Sequence, residues 1–180
     1  MHSCSLQFIR ACYHSYWSIH SFTNPKQGGG DAMLRKVLCV SSAGLSAFIL
    51  HAFLKKELGD EYRIEYAGIW CGPDNTPIHQ FSLRCLEERG ITLNPDSRSR
   101  CITRLPPTDE VVYLICMNNE AAHEASLLAS HRHTVVVANE FSSVPDLCGR
   151  DYHTYKACAD LLCYVAGRLA KKIRCKNNSH

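Results

Sequence analysis

Four short apolar runs mark the chain beyond its first thirty or so residues: "KVLCV" (36–40), "YRIEYA" (62–67), "EVVYLIC" (110–116) and "HTVVVA" (133–138). Runs of this length, rich in Val, Ile and Tyr, predict strands. Between them the apolar positions recur at helical spacing. Leu45, Phe48, Ile49, Ala52 and Phe53 form one stripe, which leaves His51, Lys55 and Lys56 outward and stops at Gly59. A second helix is expected near Ile78 to Arg89, ending at Gly90, and a third over 120–130. The last, 152–173, turns Tyr152, Tyr155, Ala159, Leu162, Ala166 and Leu169 toward the sheet. Strands alternating with helices predict a parallel sheet covered on both faces, a doubly wound α/β domain. Ligands of such folds sit at the carboxyl ends of the strands, so the turn after Val40 and the loops after Ala67, Cys116 and Ala138 are expected to share one rim.

Composition narrows the picture without changing it. The chain has 180 residues, 46% of them hydrophobic, enough for one domain with a sizeable core. The net charge of +3 is not gathered into a basic run, which argues against nucleic acid or a membrane surface as partner. No stretch approaches the roughly 18 apolar residues that cross a bilayer. The 11 cysteines are odd in number and scattered, several of them inside apolar segments (Cys39, Cys116, Cys158, Cys163), where thiols pack as small hydrophobes. This usage fits a reducing cytoplasm better than a disulfide framework. No C-x-x-C and no Cys/His quartet at zinc spacing occurs, so no metal is expected, and no cofactor is implied.

Residues 1–32, rich in Ser, His and aromatics and closed by a Gly run, follow no period. They read as a disordered extension or as untranslated leader, with Met33 as the natural start and a domain over 33–175. N-terminal sequencing of protein made from the native gene tests this, and a chain beginning at Met1 contradicts it. Two basic residues over this length make a poor transit signal. The last residues, 176–180, read as a polar tail.

The candidate chemistry lies in "KVLCVSSAGLSAFIL" (36–50), a strand, a tight turn and a helix, the usual setting of a phosphate cradle. Gly44 is free to take a positive φ, and Ser42, Ala43, Gly44, Leu45 and Ser46 can point N–H groups at an anion over the helix N-terminus. Yet residues 41–47 contain no Lys, Arg or Cys.

Five fragments, in order, resemble the low-molecular-weight protein tyrosine phosphatases, a family that includes arsenate reductases. They are "VLCVSSAGLSA", "YAG" (66–68), "CLEERGITL" (85–93) with "SRSRCIT" (97–103), and "VPDLCGRDYHTYKACADLL" (144–162). The resemblance spans nearly all of 34–175 and implies a three-layer α/β/α domain with a four-stranded parallel sheet in the order 2-1-3-4. That family's chemistry lives in C-x5-R-S, and the matching positions here are Ser41, Ala47 and Phe48. A Ser hydroxyl is protonated at neutral pH and has no adjacent base, unlike a thiolate stabilised by a nest of N–H groups. Ala47 cannot clamp phosphate oxygens as a guanidinium does. No catalytic residue is therefore expected.

Asp146 stands at the family's general-acid position, followed by Leu147 and Cys148 where a Pro and aromatics are usual. With no nucleophile to serve, it reads first as an ordinary loop Asp. Trp70, Cys71 and Cys148 are candidate rim residues, and Arg98 and Arg100 read as surface arginines rather than ligands for an anion. "SSAGLS" is also similar, over about ten residues, to the C-S-A-G-M-S loop of sugar phosphotransferase IIB components. Two functions follow from the resemblance. The favoured one is a pseudophosphatase, a cytoplasmic binding or regulatory module for an unknown protein partner, with phosphate or another oxyanion held weakly. The alternative is a divergent phosphatase or phosphoryl carrier using Ser41 and Asp146, or Cys71 or Cys148.

Overall fold

The computed structural model describes residues 35–70, 76–94, 96–105, 111–128, 134–137 and 144–177, all within the unit Leu34–His180. Four strands, β1 (Arg35–Ser41), β2 (Tyr62–Gly68), β3 (Val111–Cys116) and β4 (Thr134–Val137), form one parallel sheet in the order β2-β1-β3-β4. Parallel neighbours cannot be joined by a tight turn. The crossovers are made by α1 (Leu45–Leu58), by α2 (Gln80–Glu87) with the irregular segment after it, and by α3 (Asn119–Leu128), while α4 (Tyr152–Asn177) closes the chain. Fold class and strand order are those expected from the sequence. The segment 1–32 lies outside the described residues, and α4 continues through Asn177, two residues into the stretch read as a tail.

Alternation along the strands sends side chains to two faces. On one face Val37, Cys39, Tyr66, Tyr113 and Ile115 pack with Phe48, Ile49 and Phe53 of α1 and with Tyr155, Ala159, Leu162 and Leu169 of α4. On the other, Leu38, Val40, Ala67, Leu114 and Cys116 meet Ala121 and Ala125 of α3. α1 is buried on more of its surface than one stripe predicts, since Ser46, Ala47, Leu50 and Leu54 are buried too. Lys55 and Lys56 are exposed as expected, and Leu45 is only partly buried. His51 departs from the expectation. Its ring lies 5.0 Å from Tyr66 and 6.3 Å from Phe48, because β2 and the segment after α2 flank that side of α1.

α2 is shorter than the sequence pattern suggested. Pro77 pairs with Arg98 across an isolated bridge, and the His79 imidazole accepts the Phe81 N–H, so the helix begins only at Gln80. Among the described residues seven cysteines carry free thiols, while Cys101 is disulfide-bonded, a departure from the cysteine usage expected of a reducing compartment. Burial raises the Cys39 thiol well above its ordinary pKa and pushes Cys116 up to about 12, so neither is reactive at neutral pH. Among the described residues no helix is long and apolar enough to cross a membrane.

Candidate functional site: a cradle after the first strand

The cradle begins where β1 ends. Ser41 is the last residue of the strand and is buried, and its carbonyl accepts the Ile69 N–H at 3.0 Å. The carbonyl of Ser42 accepts the Trp70 N–H at 2.8 Å, and that of Val40 accepts the Met117 N–H at 2.9 Å. The loops after β1, β2 and β3 are therefore tied together at the carboxyl edge. The loop after Ala138 lies outside the described residues.

Gly44 sits at φ 80° and caps α1, a left-handed conformation that side chains rarely adopt. The turn is also pressed against the end of β2. A Cβ on Gly44 would lie 3.2 Å from the Gly68 nitrogen, and one on Gly68 would lie 3.0 Å from both the Ala43 carbonyl carbon and the Gly44 nitrogen. Gly68 is thus required by close approach of two backbones. In the sequence it shows only as the last residue of the "YAG" fragment at the end of a strand.

With the Ser41 and Ser42 carbonyls engaged elsewhere, the N–H groups of Ser42, Ala43 and Gly44 have no partner among the described residues, whereas Phe48 N–H already bonds the Gly44 carbonyl at 2.9 Å. The Ala47 N–H donates to Ser41 Oγ at 3.3 Å, so the hydroxyl sits over the start of α1. The helix macrodipole and these N–H groups favour negative charge there. The Ala47 side chain, however, is fully buried in the core and adds nothing to the cradle. Phe48 is buried as well, its ring edge-on to Tyr66 at 5.0 Å.

Ser41, Ser42, Ala43, Leu45 and Ser46 share a small cavity with Met117, Asn118 and the segment Val144 to Asp146. The structure thus brings Asp146 to the loop. Asp146 is exposed, and its Oδ1 accepts the Cys148 N–H at 3.1 Å. The cavity measures about 10 Å³, space for about one water. Asp146 is the single ionisable residue in its lining among the described residues.

Trp70 is 44% exposed and Cys148 exposed, and neither lines the cavity; Cys71 lies outside the described residues. Arg98 and Arg100 belong to a different recess. Met117 and Asn118 were not singled out from the sequence, although the loop after Cys116 was. Asn118 Oδ1 accepts the Ala121 N–H at 2.7 Å and caps α3, a signal visible as Asn before a helical pattern. Among the described residues no group of three or more His, Cys, Asp or Glu is placed to hold a metal ion.

No protein-family model matches the sequence, and no curated protein does. Solved structures do match. The YwlE arginine phosphatase, as a Cys-to-Ser mutant with a phosphorylated active-site serine, is 20% identical with a TM-score of 0.65, covering 77% of this chain and 95% of its own. The low-molecular-weight protein tyrosine phosphatase from T. tengcongensis is 20% identical with a TM-score of 0.66, covering 77% and 99%. The tyrosine phosphatase Wzb from Escherichia coli K30, in complex with sulphate, is 17% identical with a TM-score of 0.66, covering 78% and 99%. At these identities the likeness is one of architecture, and the chain has the fold of the low-molecular-weight protein tyrosine phosphatases.

Proposed function

We propose that this chain is a low-molecular-weight phosphatase-like protein that does not hydrolyse phosphate esters, a cytoplasmic pseudophosphatase that serves as a binding or regulatory module for a protein partner. The observation that carries this reading is the cavity over the cradle, whose single ionisable lining residue among the described ones is a carboxylate, Asp146. Hydrolysis of a phosphate monoester on this fold calls for an ionised nucleophile and for a cation that follows charge onto the phosphoryl oxygens. The nucleophile's place, by resemblance, holds Ser41, whose hydroxyl accepts the Ala47 N–H and is a far weaker nucleophile than a thiolate. The cation's place holds Ala47, whose methyl faces the core.

A phosphate entering the cradle would meet Asp146 without a counter-charge. What attraction remains comes from the loop N–H groups and the start of α1, the helix dipole being worth roughly 0.3–1 kcal/mol. Oxyanion binding here is therefore weak, and a cavity of about 10 Å³ must open to admit one.

One observation favours the second reading, a phosphoryl acceptor or divergent phosphatase. A neighbour with serine in its active site carries a phosphoryl group on that serine, and by resemblance Ser41 stands in the same place. Incubating the purified chain with p-nitrophenyl phosphate while following both turnover and intact mass separates the two. The pseudophosphatase reading predicts neither turnover nor gain of a phosphoryl group. Phosphorylation that maps to Ser41 would replace it with the second reading.

A further inference from the structure

The polar groups around the cradle cavity are mostly donors. The N–H groups of Ser42 and Ala43 have no partner among the described residues, and Asn118, whose Oδ1 already accepts the Ala121 N–H, has its side-chain NH2 left to give. Ser41 is buried, and its Oγ accepts the Ala47 N–H at 3.3 Å, which leaves the hydroxyl proton free to be donated.

Ser46 points to a ligand independently of the loop. It is 6% exposed, lines the cavity and makes no hydrogen bond among the described residues. A hydroxyl shut away from solvent without a partner is costly. Its partner is therefore a group that enters the cavity.

Size and charge limit what that group is. The cavity of about 10 Å³ takes one atom of roughly the size of a water oxygen. An oxygen of a phosphate or carboxylate brings negative charge toward Asp146, and no Lys, Arg or His lines the cavity among the described residues. A carbonyl oxygen accepts from the same donors without net charge. If it belongs to an amide, the adjoining N–H can donate to Asp146 Oδ2, since Oδ1 is held by the Cys148 N–H at 3.1 Å.

We propose that the cradle binds a carboxamide presented by a protein partner, its carbonyl oxygen against the Ser46 hydroxyl and the loop N–H groups and its N–H on Asp146. This rests on the reading of the chain as a binding module without hydrolytic activity, and it names the group that the partner inserts. NMR of the full chain, following the amide resonances of residues 42–46, tests it by titration with acetamide, N-methylacetamide and acetate. The first stands for an Asn or Gln side chain, the second for a main-chain peptide group, and the third keeps the size of acetamide but adds a charge. At least one amide should shift these resonances saturably and bind tenfold or more tightly than acetate at neutral pH; the tighter amide names the source. Ser46→Ala should weaken that amide threefold or more. Asp146→Asn, an exposed position that keeps an acceptor for the Cys148 N–H while losing the charge, should erase the preference over acetate. No shift of residues 42–46 by either amide at molar concentration overturns the proposal. So does equal affinity for acetate, undiminished affinity in Ser46→Ala, or an unchanged preference in Asp146→Asn. Turnover of p-nitrophenyl phosphate, measured on the same sample, would instead overturn the reading on which the proposal rests.

Discussion

At the scale of single residues, Phe48 and His51 have different consequences. Phe48 is 1% exposed and packs edge-on against Tyr66. Phe48→Ser removes a large ring from a closed core and leaves a hydroxyl there. It should cost roughly 3–5 kcal/mol in urea unfolding; a loss below about 1 kcal/mol would mean that the ring does little packing. His51 should instead make stability depend on pH. Its folded-state pKa is pushed from 6.5 down to about 4, so between those values the unfolded chain binds a proton that the folded chain refuses. Stability therefore falls as pH drops through that window and levels off below it, by an amount of up to about 3 kcal/mol. Comparing unfolding free energies at neutral pH and near the lower limit, His51→Phe should show a shallower fall than the parent chain. Equal falls would show that His51 is as readily protonated folded as unfolded.

At the scale of elements, the contact between the cradle and the end of β2 is the most sensitive joint. Any side chain on Gly68 pushes into the backbone of Ala43 and Gly44, which cannot swing aside as a flexible side chain can. Gly68→Ala should therefore destabilise the chain by roughly 1–3 kcal/mol, measured by denaturant unfolding, whereas Gly90→Ala meets no neighbouring atom and is strained only through its φ of 70°. The order of strands and helices was legible in the sequence because each buried segment keeps one hydrophobic period along its length. The elements misread were those whose limits are set by a neighbour. The His51 face of α1 reads as outward on a helical wheel, yet it is covered by Tyr66 of β2 and by a segment with no periodic pattern. α2 loses its first two expected residues beside a bridge between Pro77 and Arg98, a pairing of residues far apart in the chain.

At the scale of the whole molecule, the cradle was legible because strand, small-residue turn and helix are contiguous, and Gly44 adopts the left-handed turn that its position suggested. Met117 and Asn118 complete the same cavity from another strand end, and Arg98 and Arg100 line a separate recess. These depend on three-dimensional proximity, which no local pattern encodes. On the proposed reading the fold keeps an anion cradle while Ser41 and Ala47 stand, by the resemblance, where a nucleophile and a guanidinium would attack and clamp a phosphate. Losses within one catalytic unit are far from additive, a missing nucleophile alone costing on the order of a millionfold, so neither Ser41→Cys nor Ala47→Arg alone should restore turnover. Together they supply a thiol and a guanidinium on the existing cradle, and Asp146→Asn should then lower the regained rate. The most direct measurement is turnover of p-nitrophenyl phosphate by the unmodified chain, by Ser41→Ala and by the Ser41→Cys/Ala47→Arg pair, all purified free of host phosphatases. The account predicts no turnover from the first two and detectable turnover from the pair; turnover by the unmodified chain that disappears with Ser41→Ala would contradict it.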